Sequence, residues 1–403
     1  MNLVQRTIND LQKRRDHILN GGINCIPSPF PTFREDFSGI EQGKYYVVTA
    51  GTKTGKTQFM SYTFLYNSLH YAYNHPDQLR LKIFYYALEE SPEDITKRYM
   101  SHLLYIKNKQ RISTRDLDSI FEDMPVSQET LDALQDSSIK ELLDFYEKTV
   151  EFPTAKNPTG VYNDIRKFME DNGTVHTKIK KFKDELGNIK ENPTGFDYYE
   201  PNDPNLYVLV ILDHLSLVST EKFPGTNIMM TLKQAADKLS EYFVELRNKY
   251  KITPILVQQQ NFELDSLESF KNNKLRPTAQ NLADSKYSSR DCNCLLGIFN
   301  PMKHELSSYM GYDIKKLRDK CRILEVILNR GGMCGGLMGL FFDGATCTWK
   351  ELPGPDDKQG LERVYKYIEQ INSPKSIVTF AWGRKIKEFY NGITNRKKKT
   401  TSI

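Results

Sequence analysis

A short loop that separates an apolar segment from a helical one constrains the fold of this chain more than any other feature. The loop reads Ala50-Gly51-Thr52-Lys53-Thr54-Gly55-Lys56-Thr57, and the β-branched and aromatic run Tyr45–Thr49 precedes it. A tight loop whose backbone N–H groups point inward can surround a polyphosphate, and the N-terminus of a following helix adds positive potential. The pattern therefore predicts a strand, a phosphate-binding loop and a helix in succession, with an ordinary glycine-containing turn as the alternative.

Two side chains of this loop have the chemistry that nucleotide hydrolysis requires. Lys56 is expected to reach the β- and γ-phosphates of a bound nucleotide, and the Thr57 hydroxyl is expected to hold Mg²⁺. The positions from Ala50 to Gly55 would contribute backbone N–H groups. Glycine normally opens such a loop, so Ala50 departs from the generic pattern at its first position.

The composition of the chain indicates a globular protein that stays in the cytoplasm where it is made. Its 403 residues are 39% hydrophobic and 27% charged, which suits one large core or two modest ones. No segment approaches the roughly 18 uninterrupted apolar residues of a membrane span, and Met1–Arg6 lacks the apolar core of a signal peptide. The six cysteines have no CxxC spacing, which favours reduced thiols. A formal charge of +5 permits a polyanionic partner without requiring one.

Apolar runs that alternate with helical patterns predict an α/β fold. Leu206–Leu212 is continuously apolar, as expected for a strand covered on both faces of a parallel sheet. Further strands are predicted at 45–49, 81–88, 253–257, 294–299, 323–329 and 337–342, and helices at 3–20, 91–106, 114–122, 127–149, 159–171 and 228–250. Residues 178–197 are expected to form a basic hairpin or loop. Alternating strands and helices imply an open sheet that binds ligands at the carboxyl ends of its strands.

Carboxylates follow two of the predicted strands, where they would meet a bound nucleotide. Asp213 comes directly after Leu206–Leu212 and can bind the magnesium shell beside Thr57, although an aspartate at a strand end is also a common turn former. Glu89 and Glu90 follow another strand, and each is a candidate to polarise the water that attacks the γ-phosphate. A solvated pair of carboxylates at a helix start is the alternative for them.

Amide and guanidinium side chains follow two later strands. The run Val257–Asn261 places Gln259 where it can sense a γ-phosphate and pass its loss to the next loop, although an ordinary polar strand end fits as well. Arg330 follows a later strand and precedes Gly331 and Gly332. An arginine there can stabilise transition-state charge on a phosphate held by a neighbouring subunit, because its cationic fork matches phosphoryl oxygens. A salt-bridged surface arginine is the alternative.

Taken in order, the motifs resemble the RecA-type motor domain of DnaB-family replicative DNA helicases. The residues that carry the resemblance are the Pro-containing Ile26–Phe30 with Gly39–Lys44, the loop that opens with Ala50, Ala87–Glu89, Ile211–Leu215, Gln259 with Asn261, and Arg276–Ser285. The resemblance implies a RecA-like P-loop NTPase core with a mostly parallel sheet flanked by helices, and ATP and Mg²⁺ as cofactors. It also implies that Glu89 is the catalytic glutamate, with Lys56, Gln259 and Arg330 completing the hydrolytic site.

The resemblance further implies contact with single-stranded DNA. In relatives, the segment that matches Arg276–Ser285 faces a central channel. The candidate DNA-binding residues here are Asp284, Ser285, Lys286, Tyr287 and Arg290. Lysine and arginine would meet the phosphates, and the tyrosine ring offers a surface on which a base can stack. A solvated basic loop is the alternative.

Two departures from the family pattern bear on the mechanism. Relatives carry Lys-Gln-Arg near the end of the late strand, whereas this chain has Leu328-Asn329-Arg330, which keeps the arginine and lacks its lysine companion. Relatives also begin with a helical domain that meets primase, whereas residues 1–22 here correspond to the linker helix that docks on the adjacent subunit. We expect a motor at 23–352 with an enlarged insertion at 107–205, followed by a helical extension and basic tail at 353–403.

These observations predict an ATP-dependent replicative DNA helicase that moves on single-stranded DNA as a homo-oligomeric ring, a hexamer, with other replication proteins as candidate partners. A compact helicase of this kind suits a phage replication system, which would place it in the host cytoplasm. A RecA-type recombination or annealing ATPase that binds DNA without unwinding it is one alternative. A non-motor protein that uses ATP to hold subunits together is another, disfavoured because the chain has both Glu89 and Arg330.

Overall fold

Two compact units, each assembled from separated stretches of sequence, make up the folded chain. The structure, a computed structural model, describes residues 3–120, 122, 124–183, 189–261, 276–283 and 286–372. The first unit comprises Met1–Pro92, Asp144–Phe299 and Leu324–Met338, and the second comprises Glu93–Leu143, Asn300–Ile323 and Gly339–Ile403. Every described residue of the site predicted from the sequence belongs to the first unit.

Strands and helices alternate along much of the chain. The strands are β1 (Cys25–Pro27), β2 (Gly39–Glu41), β3 (Tyr46–Ala50), β4 (Arg80–Ala87), β5 (Val150–Glu151), β6 (Gly173–Lys183), β7 (Ile189–Pro201), β8 (Leu206–Asp213), β9 (Thr253–Gln259), β10 (Cys294–Phe299), β11 (Ser308–Tyr309), β12 (Tyr312–Asp313), β13 (Cys321–Asn329), β14 (Leu337–Asp343) and β15 (Thr348–Glu351). The α-helices are α1 (Leu3–Leu19), α2 (Lys56–Met60), α3 (Asn67–Asn74), α4 (Pro92–Asn108), α5 (Thr114–Leu117), α6 (Gln128–Gln135), α7 (Ser137–Thr149), α8 (Pro158–Asp171), α9 (Leu232–Tyr250), α10 (Tyr287–Asp291), α11 (Ile314–Leu317) and α12 (Lys358–Asn372). A π-helical segment, Ser61–Tyr66, joins α2 to α3.

A mostly parallel sheet organises the first unit and confirms the predicted α/β fold. Its hydrogen-bonded strand order is β13-β10-β3-β9-β8-β4-β5, and neighbouring strands from β10 to β5 pair in parallel. The register pairs Ala50 with Gln259 and Ala87 with Asp213. The carboxyl ends of β3, β9, β8 and β4 therefore lie along one edge of the sheet, where the loops that follow them meet.

Apolar side chains on one face of this sheet pack against α8 and α9. Alternate residues of a strand point to the same face, and Val208, Val210 and Leu212 of β8 are buried there. The buried helical residues of this cluster are Val161, Ile165 and Met169 of α8, and Ala235, Ala236, Leu239, Phe243, Leu246 and Tyr250 of α9. This spacing of three or four residues buries a single stripe of each helix. The other face is also covered, since Tyr46 packs against Phe64 with ring centres 5.3 Å apart.

Helix α9 begins at Leu232, later than the start at 228 that the sequence predicts. The Thr231 hydroxyl accepts a hydrogen bond from the Gln234 N–H, and the Gln234 side chain accepts one from the Thr231 N–H. This reciprocal cap satisfies two backbone donors and fixes the first turn. The residues before the cap form a turn closed by a bridge between Lys222 and Met229.

The single helix predicted at 127–149 is wrong, because α6 and α7 form there as two helices. Asp136 lies between them with ψ +137°, which no helical residue adopts. Its carboxylate accepts hydrogen bonds from the Ser138 N–H at 2.9 Å and the Ser138 hydroxyl at 2.6 Å, which starts α7 afresh. The sequence pattern did not predict the short strands β5 and β15.

A long antiparallel hairpin, β6–β7, replaces the shorter one predicted at 178–197. It pairs from Gly173 with Pro201 out to Lys183 with Ile189. Near its base, Tyr199 donates a hydrogen bond to the Met169 carbonyl at 2.8 Å, and its ring meets Tyr250 edge-on at 5.1 Å. Further out, the side chains of residues 177–181 are exposed. The base is therefore anchored on the helices, whereas the outer part projects into solvent.

The second unit is held by a buried carboxylate and stacked rings. Asp343 on β14 accepts two hydrogen bonds from Arg111, at 2.7 and 2.9 Å, and one from Lys320 at 2.8 Å. Strands β14 and β15 pair antiparallel, and Phe342 stacks on Trp349 with ring centres 4.2 Å apart. Across both units, each helix within the described residues is too short or too polar to span a bilayer.

A second carboxylate ties the segment that leaves β8 to the helices of the first unit. Glu221 accepts hydrogen bonds from Lys238 Nζ at 2.6 Å, from the Thr159 hydroxyl at 2.6 Å and from the Asn157 amide. Burial alone would raise the pKa of Glu221, but these donors outweigh it and lower the pKa to about 2. The ionised carboxylate therefore stabilises the folded state.

Protonation of Glu221 should weaken the fold. Because its pKa falls from 4.5 to about 2 on folding, its stabilising effect is complete above the unfolded pKa and is lost as the pH falls through the folded pKa. We expect Glu221→Gln to unfold at lower urea concentration than wild type near neutral pH, and the difference to shrink between about pH 5 and about pH 2. Circular dichroism during urea titration measures this. The exposed Glu147→Gln is the control, and a Glu221→Gln deficit that persists at low pH would contradict the charge-based explanation.

Candidate nucleotide-binding site

The loop between β3 and α2 has the backbone conformation that a phosphate-binding loop needs. Gly55 precedes α2 with φ +97°, a left-handed conformation that glycine adopts without a side-chain clash. Helix α2 begins at Lys56, so the N–H groups of its first turn point into the loop. Lys56 and Thr54 are buried, whereas Lys53 is exposed. The strand, loop and helix therefore form in the order that the sequence predicts.

The two predicted magnesium ligands lie beside each other. The Thr57 hydroxyl donates a hydrogen bond to Asp213 Oδ1 at 3.4 Å, and the Tyr85 hydroxyl donates one to Asp213 Oδ2 at 3.3 Å. A hydroxyl and a carboxylate oxygen suit Mg²⁺, which binds few protein oxygens and keeps water and phosphate oxygens as its other ligands. Burial, with a smaller contribution from the negative charges of Glu90 and Glu89, raises the pKa of Asp213 to about 6. A cation beside this carboxylate would reverse that effect.

A histidine connects the candidate base to the candidate sensor. His214 Nε2 lies 3.5 Å from Glu89 Oε2 and 3.4 Å from the side-chain nitrogen of Gln259. The imidazole is buried, whereas 46% of the Glu89 side chain is exposed to solvent. Glu90 also lies close enough to influence Asp213, so both glutamates remain candidates for the base. The contact with His214 favours Glu89.

Hydrogen bonds connect the end of β9 to the segment that precedes α10. The Ala283 N–H donates to the Gln259 carbonyl at 2.9 Å, and the Gln258 side chain donates to the Ala283 carbonyl. The Ser288 hydroxyl in turn donates to the Gln258 side-chain oxygen. The end of β9 is therefore bonded directly to Ala283 and to Ser288.

The predicted DNA-binding residues follow this segment. Asp284 and Ser285 lie outside the described residues, and Lys286 is exposed immediately before α10. Tyr287 and Arg290 share one face of α10, with the Arg290 guanidinium 3.9 Å from the centre of the Tyr287 ring. Because α10 leads into the amino end of β10, Arg290 lies towards the edge of the sheet opposite the phosphate loop.

Arg330 also lies at that opposite edge. Its backbone N–H donates to the Asn293 carbonyl at 2.8 Å, and the Asn293 N–H donates to the Tyr45 carbonyl at 2.7 Å. Tyr45 precedes β3 and the phosphate loop follows it, and a strand of five residues spans about 17 Å. Arg330 is exposed and separated from the loop of its own chain by the length of the sheet. Its position fits a phosphate held by another molecule.

Two side chains contribute to the site without having been predicted from the sequence. His214 follows Asp213 directly, and a titratable residue next to a strand-end aspartate is a signal that could have identified it. Tyr85 lies inside an apolar run of β4 and gave no signal, because only the parallel pairing of β4 with β8 brings its hydroxyl to Asp213.

Two solved structures share the fold of this chain. One is an ATPase domain that matches with a TM-score of 0.59 and 12% identity, over 87% of this chain and 99% of that chain. The other is described as a DnaB-like replicative helicase with its primase interactions, and it matches with a TM-score of 0.58 and 12% identity, over 88% of this chain and 67% of that chain. No protein-family model and no curated protein matches the chain. At this identity the likeness shows the fold alone, an α/β fold with a mostly parallel sheet flanked by helices, as the sequence predicts.

Removal of the Lys56 ammonium should abolish tight nucleotide binding, because a buried cation inside the loop would be lost. We expect Lys56→Ala to weaken binding of Mg²⁺–ATP by about 100-fold or more, measured by isothermal titration calorimetry. Lys53→Asn is the matched control, since Lys53 is exposed and asparagine tolerates its positive φ. The control should retain affinity within roughly twofold. Normal binding by Lys56→Ala would rule out this loop as the nucleotide site.

Proposed function

We propose that this chain is an ATP-dependent DNA helicase that translocates on single-stranded DNA as a ring of identical subunits, expected to be a hexamer. The observation that carries the proposal is the set of hydrogen bonds that connects the end of β9, where Gln259 contacts His214, to Ala283 and to Ser288 of α10. These bonds link the candidate hydrolytic site to the predicted DNA-binding residues. The shared fold with a DnaB-like replicative helicase supports the same assignment.

The loop between β3 and α2, together with Asp213, would bind the nucleotide and Mg²⁺. The backbone N–H groups of the loop and the Lys56 ammonium would hold the phosphates of ATP. Thr57 and Asp213, joined at 3.4 Å, would hold Mg²⁺, which neutralises charge on the phosphate oxygens when bound. Because Asp213 is buried and its pKa is raised, the cation also keeps its carboxylate ionised.

Glu89 would act as the base in ATP hydrolysis. Its exposed carboxylate lies beside the site and can accept a proton from water aligned with the γ-phosphate. His214 Nε2 lies 3.5 Å from the carboxylate on its buried side and can donate a hydrogen bond to it when that nitrogen carries a proton. Gln259 contacts the same imidazole and would register whether the γ-phosphate is present.

Contact with DNA depends on the segment after β9. The backbone of Gln259 and the side chain of Gln258 both form hydrogen bonds with Ala283. A shift of the carboxyl end of β9 would therefore move Ala283, which precedes Lys286 and Tyr287 in the chain. A positive side chain and an aromatic ring are the groups that hold a single strand without reading its sequence. Cycles of hydrolysis would thereby move the DNA contacts.

Helix α1 supports assembly into a ring of identical subunits. Its side chains Val4, Leu11 and Leu19 are 67%, 62% and 65% exposed. An apolar stripe of this kind on a helix is normally covered by another surface. We propose that it docks on the neighbouring subunit, as the linker helix predicted from the sequence would.

Glutamine at position 89 should separate binding from hydrolysis. We expect Glu89→Gln to lower kcat for ATP by about 100-fold or more while Mg²⁺–ATP binding is retained, because the amide keeps the shape and cannot accept the proton. Glu90→Gln is the matched control and should keep most of the activity. A larger loss in Glu90→Gln than in Glu89→Gln would transfer the role of base to Glu90.

The decisive assay measures ATP hydrolysis with and without single-stranded DNA, together with unwinding of a forked duplex. Stimulated hydrolysis accompanied by unwinding is the expected result. Stimulation without unwinding would instead favour the recombination or annealing ATPase. Hydrolysis that ignores DNA, with assembly intact in Glu89→Gln, would favour the assembly protein.

A further inference from the structure

Three arginines converge at the edge of the first unit opposite the phosphate loop. The Arg330 guanidinium donates a hydrogen bond to the backbone carbonyl of Arg290. Arg247 donates from Nη1 to the Asp291 carbonyl at 3.2 Å and to Asn293 Oδ1 at 2.8 Å. Three elements thus each place a cation near residues 290–293. These cations are Arg330 at the end of β13, Arg247 of α9 and Arg290 of α10.

The described contacts of this arginine cluster leave positive charge in excess. Arg290 pairs with Asp291 at 3.6 Å, and the same carboxylate accepts a hydrogen bond from Ser240 at 2.9 Å. The other contacts described for the three arginines are to neutral carbonyl and amide oxygens, which do not cancel charge. Burial lowers the pKa of Arg247, and the charge of Arg330 lowers it further. An anion that accepts hydrogen bonds from two guanidinium groups would relieve this repulsion.

Two of the three guanidinium groups are open to such an anion. The Arg290 side chain is 63% exposed and is held over the Tyr287 ring, and Arg330 is exposed at the end of β13. A terminal phosphate presents three oxygens and up to two negative charges, whereas a phosphodiester presents two free oxygens and one charge. Two arginine forks on one surface, linked by the hydrogen bond from the Arg330 guanidinium to the Arg290 carbonyl, therefore suit a terminal phosphate better than a DNA backbone.

We propose that Arg290 and Arg330 together bind the terminal phosphate of ATP held by a second copy of the chain. The phosphate loop of the same copy is excluded, because the length of β3 separates it from both arginines. The inference rests on the proposed function and deepens it, since Arg290 contacts the nucleotide of a neighbour instead of DNA.

Complementation between two inactive variants tests the proposal. Arg290→Ala subunits keep an intact phosphate loop, and Lys56→Ala subunits keep both arginines. Each variant alone should lose about 100-fold in the rate of ATP hydrolysis at a fixed ATP concentration. Co-assembled in equal amounts, they should regain hydrolysis, because some interfaces then combine an intact loop with an intact Arg290. Arg330→Ala with Lys56→Ala is the reference mixture.

Two further variants guard against a general loss of structure. Arg166→Ala removes an arginine that also lies over a tyrosine, Tyr162 at 5.8 Å, and beside a carboxylate, Glu170 at 3.8 Å. It should leave hydrolysis unchanged. Arg290→Lys keeps the charge without the fork and should retain an intermediate kcat. Size-exclusion chromatography establishes that each variant assembles as wild type does.

The outcomes separate this inference from the function on which it rests. Weaker binding of single-stranded DNA by Arg290→Ala, with DNA-free hydrolysis intact, would make Arg290 a DNA contact and overturn the proposal. Recovery in the Arg330→Ala mixture without recovery in the Arg290→Ala mixture would also overturn it, while an intersubunit site at Arg330 stands. Absence of hydrolysis by wild type would remove the proposed function and this inference together.

Discussion

The alignment of four parallel strands is the constraint on which the rest of this structure depends. Parallel pairing places Ala50 opposite Gln259 and Ala87 opposite Asp213. The loop and the polar side chains that follow these strands are therefore brought together by the backbone hydrogen bonds of the sheet. Apolar layers on both faces keep the strands in place, which is why a one-residue slip of β8 would move Asp213 away from Thr57 and expose buried valines.

The features that the sequence predicts well are those that depend on local chemistry. The phosphate loop is set by a strand, a left-handed glycine and a helix start that are contiguous in the chain, and Asp213 ends an unmistakably apolar strand. The start of α9 depended on the Thr231 cap and the break between α6 and α7 on the ψ of Asp136. In the sequence, the effect of one residue is a weaker signal than a continuous hydrophobic pattern. The helix boundaries predicted from that pattern were therefore wrong.

The remaining features depend on contacts between distant parts of the chain. Nothing near Arg290 in the sequence signals that Arg330 and Arg247 lie beside it, since the three residues belong to different elements. Leu328 stands where the family that the motifs resemble has a lysine. A comparison of motifs, position by position, does not reveal a cation that another element of the fold supplies. For the same reason the hydroxyl of Tyr85 on Asp213 was not foreseen.

The hairpin β6–β7 has a consequence for how this chain tolerates change. Its two ends, Gly173 and Pro201, are paired with each other, and the Asn202 N–H donates to the Asn172 carbonyl at 2.9 Å just below them. The chain thus leaves and re-enters the body of the unit at nearly the same point, and closing it there with a short turn needs little backbone rearrangement. The part of the hairpin beyond the Tyr199 anchor can therefore vary in length and charge without altering the register of the strands that carry the candidate nucleotide site.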